Sequence, residues 1–115
     1  IVAEDNGRIL GCSSLSPYRD KEAYKTTVEL SVYVSPNYRK MGVATALMSE
    51  IIRYAKKDDA THTVVSVITS GNEASCALHE KFGFTFCGTV RRAGKKFGRF
   101  LDIDNYYLFT DGEKQ

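Results

Sequence analysis

Val28, Leu30, Val32 and Val34 alternate with Glu29, Ser31 and Tyr33, and this period of two predicts a strand over residues 26–34. Soon afterwards the period lengthens. Ala44, Leu47, Met48, Ile51, Ile52 and Ala55 recur every three or four residues, which predicts an amphipathic helix over 42–57. Ile1–Glu4 and Arg8–Leu15 read as strands around Asp5-Asn6-Gly7, where Asn-Gly is a strong hairpin signal. Residues 16–24 read as a polar loop, and Pro36-Asn37 as a turn toward the helix. Further strands are predicted near Val64–Thr69, Thr85–Arg92 and Leu101–Phe109, the last two joined by a glycine- and lysine-rich loop. Between them, Asn72 is a suitable N-cap and Gly83 a natural stop for a short helix, with Ala74, Ala77, Leu78 and Phe82 expected toward the core. Antiparallel hairpins followed by a strand–helix–strand unit imply an α+β fold with a mixed sheet.

Arg39-Lys40-Met41-Gly42-Val43-Ala44 joins the third strand to the long helix. Backbone N–H groups left unpaired at a helix start, together with the positive end of the helix dipole, suit an anion such as a pyrophosphate. The segment is neither a P-loop nor a dinucleotide fingerprint, because no Lys-Ser or Lys-Thr follows Gly42 and three spaced glycines are missing. Taken alone, it is equally an ordinary strand–turn–helix connection. Asn72, Ser75 and His79 share one stripe of the short helix; alone, Asn72 reads as a plain cap and His79 as a surface or core histidine. Glu29 is a carboxylate in the middle of an apolar strand, which a solvated edge position would also explain.

Two segments in the same order, thirty residues apart, give the pattern more meaning. Arg39, Gly42 and Ala44 resemble the Arg/Gln-x-x-Gly-x-Gly/Ala signature of the GCN5-related N-acetyltransferase (GNAT) superfamily, and Asn72 through Gly83-Phe84 resembles its second signature. Tyr24 through Pro36, Leu78-His79-Glu80 and Thr89 through Asp102 are similar to the phosphinothricin acetyltransferase-like group. Lys40-Met41 stands where Gly-Lys is commonest in that loop, and the chain has no tryptophan.

The resemblance implies a mostly antiparallel central sheet flanked by helices, with parallel strands splaying to admit acetyl-coenzyme A. It assigns cosubstrate contacts to Val32, Tyr33, Val34, Arg39, Lys40, Met41, Gly42, Val43, Ala44, Thr45, Asn72 and Lys81. Arg19, Tyr24 and Glu29 fall where the group meets its acceptor, and an arginine is a good bidentate partner for a carboxylate or phosphinate. Glu29 is the expected general base and His79 the expected acid or sulfur ligand. The expected activity is acetyl transfer to the amine of a small amino-acid-like acceptor: phosphinothricin, methionine sulfoximine or methionine sulfone. Alternatives are a protein or polyamine acceptor, or a non-catalytic acetyl-coenzyme A-binding module. The family pattern also places a strand and one or two helices ahead of Ile1–Glu4, so the chain reads as a fragment, and it implies a homodimer.

Composition narrows the partners. The 115 residues form one domain with 43% hydrophobic content, and a formal charge of +2 implies no general nucleic-acid field. Lys56-Lys57, Arg91-Arg92 and Lys95-Lys96 are small basic clusters of the kind found on solvated faces. Cys12, Cys76 and Cys87 lack zinc spacing with His62 and His79, so no metal is expected and the thiols read as reduced in a cytoplasmic protein. No run reaches the length of a membrane span and no signal peptide is visible.

Overall fold

The computed structural model describes residues 1–38 and 42–113, so Arg39, Lys40 and Met41 of the candidate phosphate loop lie outside the described residues. Six strands and two helices follow in the order β1 (Val2–Asp5), β2 (Arg8–Pro17), β3 (Thr27–Val34), α1 (Val43–Lys57), β4 (Thr63–Thr69), α2 (Glu73–Lys81), β5 (Thr85–Lys96) and β6 (Arg99–Glu113). They build one sheet in the order β1-β2-β3-β4-β6-β5. Among the described residues, β3 and β4 pair in parallel and the other four neighbour pairs are antiparallel. The expected mixed, mostly antiparallel α+β sheet is therefore observed.

The alternation in β3 sets which face is buried. Leu30 is buried with Val64 and Ile68 of β4 and Tyr106 of β6, while Tyr33 is 59% exposed on the opposite face. Met48, Ile51, Ile52 and Ala55 of α1 join this cluster, and Cys76 and Leu78 of α2, with Phe82 at its C-cap, pack against it. Both helices thus lie on the Leu30 face. Glu29, Ser31 and Tyr33 look the other way. The apolar stripe of α1 starts one residue earlier than expected, since Val43 is buried whereas Ala44 is half-buried and faces a cleft.

Helix α2 departs from expectation in its inward residues. Ala74 and Ala77 are exposed, and the buried position is His79. The ends of the helix behave as the sequence suggests. Asn72 accepts a hydrogen bond from the Ser75 amide at 3.2 Å. At the other end, the Gly83 amide donates to the Glu80 carbonyl and the Phe84 amide to the His79 carbonyl, both at 3.0 Å. That pair of bonds is a Schellman motif with Gly83 at φ 90°, and it turns the chain so that Phe84 enters the core.

Two loops are shorter than expected. β2 runs on to Pro17, which pairs with Val28. The glycine- and lysine-rich segment is not a loop: β5 continues to Lys96 through an irregularity between Val90 and Gly94, and the reversal is the two-residue turn Phe97-Gly98. Both turn residues have positive φ, 53° and 75°, as Asn6 and Gly7 do at 51° and 81°. A two-residue hairpin turn with positive φ at both positions is type I′. Asn-Gly announces such a turn; Phe-Gly does not, because an aromatic residue there adopts its left-handed backbone against its own preference.

Candidate active site

The parallel ladder between β3 and β4 is short. It runs from Thr27 opposite Thr63 to Leu30 opposite Ser66. β3 continues to Val34 and β4 to Thr69, but among the described residues their pairing ends at that rung. Two strands that share one end and part at the other form a V. A cleft of about 590 Å³ fills it, lined by Glu29–Val34, Ser66–Thr69, Ala44, Asn72, Ser75, Leu78 and His79. On this side, among the described residues, the backbone groups of Val32 and Val34 have no neighbouring strand, whereas those of Tyr33 turn toward Cys12 of β2, so an extended ligand can take that place by backbone hydrogen bonding to Val32 and Val34.

The apex of the V brings three polar side chains together from different elements. Glu29 sits one residue before the last rung, on the face away from the helices and partly buried. Ser66 is the last rung itself and is 4% exposed on the helix face. His79 reaches the same face from α2 and is also 4% exposed. Its Nδ1 lies 2.7 Å from the Ser75 carbonyl oxygen. A carbonyl only accepts, so Nδ1 carries the proton and, in the neutral ring, Nε2 is bare. Ser66 Oγ, 2.7 Å from Nε2, therefore donates to it. Burial pushes the His79 pKa below the ordinary histidine range, and the Ser75 carbonyl opposes this less strongly. The ring rests against Phe84 (5.0 Å between centroids) and Tyr106 (5.7 Å). Tyr106 is pushed up to about 12, chiefly by its hydrogen bond with the Cys76 thiol and then by burial, so it does not ionise near neutrality.

The mouth of the cleft is the start of α1. Gly42 occupies the N-cap with φ 77° and makes no side-chain cap, so among the described residues no cap side chain takes the hydrogen-bonding capacity of the first helix amides. Ala44 lines the cleft there, Thr45 is half-buried, and Val43 directs its side chain into the core. Asn72 also lines the cleft; its cap uses Oδ1, which leaves Nδ2 to donate.

Not every candidate residue converges. Lys81 is exposed at the opposite end of α2 from Asn72 and does not line the cleft. Arg19 and Tyr24 line a neighbouring hollow with Asp20, Val28, Asp58 and Thr61. There the Arg19 guanidinium lies 4.5 Å from the centre of the Tyr18 ring, and the Tyr18 and Tyr24 rings meet edge to face at 6.3 Å. Sequence reasoning missed Ser66. The signal was present: Val64, Ser66 and Ile68 share one face of an apolar strand, and a hydroxyl in that series needs a partner. Among the described residues, no group of three or more His, Cys, Asp or Glu converges as a metal site, and all three cysteines are free thiols.

A sheet that opens at one parallel rung, with a bare helix start at its mouth, points to a class of coenzyme-binding transferases. Comparison with known proteins specifies it. The model of the acetyltransferase (GNAT) family matches residues 1–84, and the chain belongs to this family. It is 40% identical over 102 residues to a phosphinothricin N-acetyltransferase of Streptomyces coelicolor, covering 89% of this chain and 59% of that protein. It is 39% identical over 112 residues to an L-methionine sulfoximine/L-methionine sulfone acetyltransferase of Pseudomonas aeruginosa, covering 96% and 64%. Among solved structures, a phosphinothricin acetyltransferase from Sinorhizobium meliloti in complex with acetyl-coenzyme A superposes with a TM-score of 0.89 at 32% identity, covering 97% of this chain and 61% of that one. A putative acetyltransferase from Salmonella typhimurium with its cofactor acetyl-coenzyme A superposes at 0.92 and 36% identity, covering 99% and 65%. The chain thus spans 59% and 64% of the length of these two curated relatives.

Proposed function

We propose that the chain is the coenzyme-binding and catalytic part of an N-acetyltransferase that moves acetyl from acetyl-coenzyme A to the primary amine of a small amino-acid-like acceptor. The observation that carries this reading is the V between β3 and β4, with Glu29, Ser66 and His79 at its apex. The relatives named above act on phosphinothricin, methionine sulfoximine and methionine sulfone, which are the acceptors to test first. All three are amino acids with a second anionic or strongly polar head.

In this reading the pantetheine arm lies along Val32–Val34 and meets Asn72, and the pyrophosphate rests on the loop from Arg39 to Thr45. The thioester then reaches the Leu30–Ser66 rung. The acceptor arrives from the Glu29 face as an ammonium ion, and Glu29 removes one proton so that nitrogen gains a lone pair. General base help of this kind is worth about 10²–10⁴-fold. Holding amine and thioester together at the apex supplies much of the remaining acceleration. His79, behind the thioester, serves the departing sulfur. Arg19 and Tyr24 hold the acceptor's head group from the adjoining hollow, next to Val28. Residues 1–115 act as a single domain in a cytoplasmic homodimer, without a metal and without a nucleic-acid or membrane partner.

The separation of Arg19 and Tyr24 from the cleft favours one second reading, a module that binds acetyl-coenzyme A without turning over an amine. A thiol-release assay distinguishes the two. The primary reading expects turnover with at least one of the three named amino acids, in preference to polyamines or peptides. Calorimetric binding of acetyl-coenzyme A with no thiol release on any amine establishes the module instead.

A further inference from the structure

Both ring nitrogens of His79 are occupied. Nδ1–H donates to the Ser75 carbonyl and Nε2 accepts from Ser66, each at 2.7 Å. The ring therefore turns no unused valence toward the cleft. Ser66 does. Its one proton points at Nε2, so its remaining lone pairs are the acceptor surface of the pair, and it stands on the last rung of the β3–β4 ladder where the V opens. A serine at a structural position in a strand needs only some acceptor. This one is buried, is joined to a buried imidazole of fixed tautomer, and sits at the apex of the cleft.

We propose that Ser66 is a catalytic residue, the group through which His79 exchanges protons with the reacting atoms. This rests on the transferase reading above, since it requires a thioester at the apex. As the neutral amine attacks the acetyl carbon and the C–N bond forms, the nitrogen sheds its proton to Ser66 Oγ, and Ser66 passes its own proton to His79 Nε2. The imidazolium keeps its Nδ1–H on the Ser75 carbonyl. As the C–S bond breaks, Nε2–H returns its proton to Ser66, and the hydroxyl protonates the departing thiolate. Amine and acetyl thioester become amide and thiol, and Ser66 and His79 end as they began. Glu29, on the other face, handles only the earlier conversion of ammonium to amine. This division of labour explains why a carboxylate and an imidazole lie on opposite faces of the sheet at the apex of the V.

The test has a kinetic arm and one that needs no turnover. In the kinetic arm, S66A loses about 10–100-fold in kcat while its calorimetric affinity for acetyl-coenzyme A stays within about twofold of the parent, and S66A/H79Q is no slower than H79Q alone, because a relay acts as one unit. Parental kcat in S66A, losses that multiply, or a loss of coenzyme affinity matching the loss of kcat overturns the proposal. In the second arm, S66C replaces the hydroxyl with a thiol whose proton His79 is placed to take. An ordinary thiol is about 1% ionised two units below its pKa of about 8.5. At pH about 6.5, iodoacetamide should therefore alkylate S66C at least tenfold faster than S66C/H79Q, with peptide mapping separating this site from Cys12, Cys76 and Cys87, and coenzyme A should block it. Equal rates in the two variants overturn the coupling. If the parent chain acetylates no amine, the transferase reading falls, and the alkylation contrast still decides whether the two side chains are coupled.

Discussion

Gly11 links the packing of the fold to the geometry of the cleft. It lies in β2 opposite Val34, and a methyl group built on it meets the Tyr33 carbonyl oxygen at 2.4 Å, with Leu47 Cδ1 and Val34 Cα at 3.1 Å. The closest of these is backbone and has no rotamer to change. For G11A to fit, that contact must lengthen beyond 3.0 Å, so β2 and β3 must part by roughly 0.6 Å at the residues that line the cleft. Overpacking of this kind costs about 1–3 kcal/mol. Removing glycine from a strand interior returns about 0.5–1 kcal/mol, so the net loss is roughly 0–2.5 kcal/mol. In a domain near this size about 1 kcal/mol moves Tm by roughly 4 °C, which gives a fall of up to about 10 °C. Urea unfolding and a thermal melt measure the loss, and calorimetry with acetyl-coenzyme A should show weakened binding because Tyr33 and Val34 have moved. A G11A protein with the parent's urea midpoint and unchanged coenzyme affinity would refute the close approach and its consequence for the cleft.

E29Q should lower kcat by about 10²-fold near neutral pH, with a smaller deficit at high pH where the acceptor amine is already neutral; a deficit that does not change with pH counts against Glu29 as the base. F97N should raise Tm by a few degrees, because asparagine tolerates the left-handed backbone at φ 53° and a side chain 91% exposed contributes little packing; a lower Tm contradicts the turn assignment. The buried His79 should make stability depend on pH. Its folded pKa lies below the unfolded value of about 6.5, so its contribution is complete above pH 6.5 and is lost as pH falls through the folded pKa, where the unfolded chain binds the extra proton. Urea midpoints that fall between pH 7.5 and 5 in the parent, and fall less in H79Q, are expected; the same fall in both would assign the effect elsewhere.

The parts of this protein legible in its sequence are those set by local rules. Alternation in Val28–Val34 marks the buried face of β3, the three- and four-residue spacing of Leu47 to Ala55 marks α1, and Asn6-Gly7 marks its own turn. Asn72 and Gly83 bound α2 because capping depends on neighbours in the chain. What stayed hidden depends on tertiary placement. Phe97-Gly98 carries no turn signal, since the long β5–β6 ladder imposes its backbone. Ala74 and Ala77 look like core residues by composition, but α2 meets the sheet through His79, Leu78 and Cys76. Glu29 stood out as a carboxylate in an apolar strand, and His79 became a candidate only through the family resemblance of its helix. The hydroxyl of Ser66 in an apolar strand called for a partner, but which one was hidden, because His79 is 13 residues away and on another element.

For this chain to transfer acetyl, a coenzyme must enter where β3 and β4 part. A crystal structure of the chain soaked with acetyl-coenzyme A tests this most directly. The pantetheine arm should lie along Val32–Val34 with its sulfur at the Leu30–Ser66 rung, between Glu29 on one face and His79 on the other. A coenzyme bound elsewhere, or a cleft that stays closed to it at saturating concentration, would contradict the account.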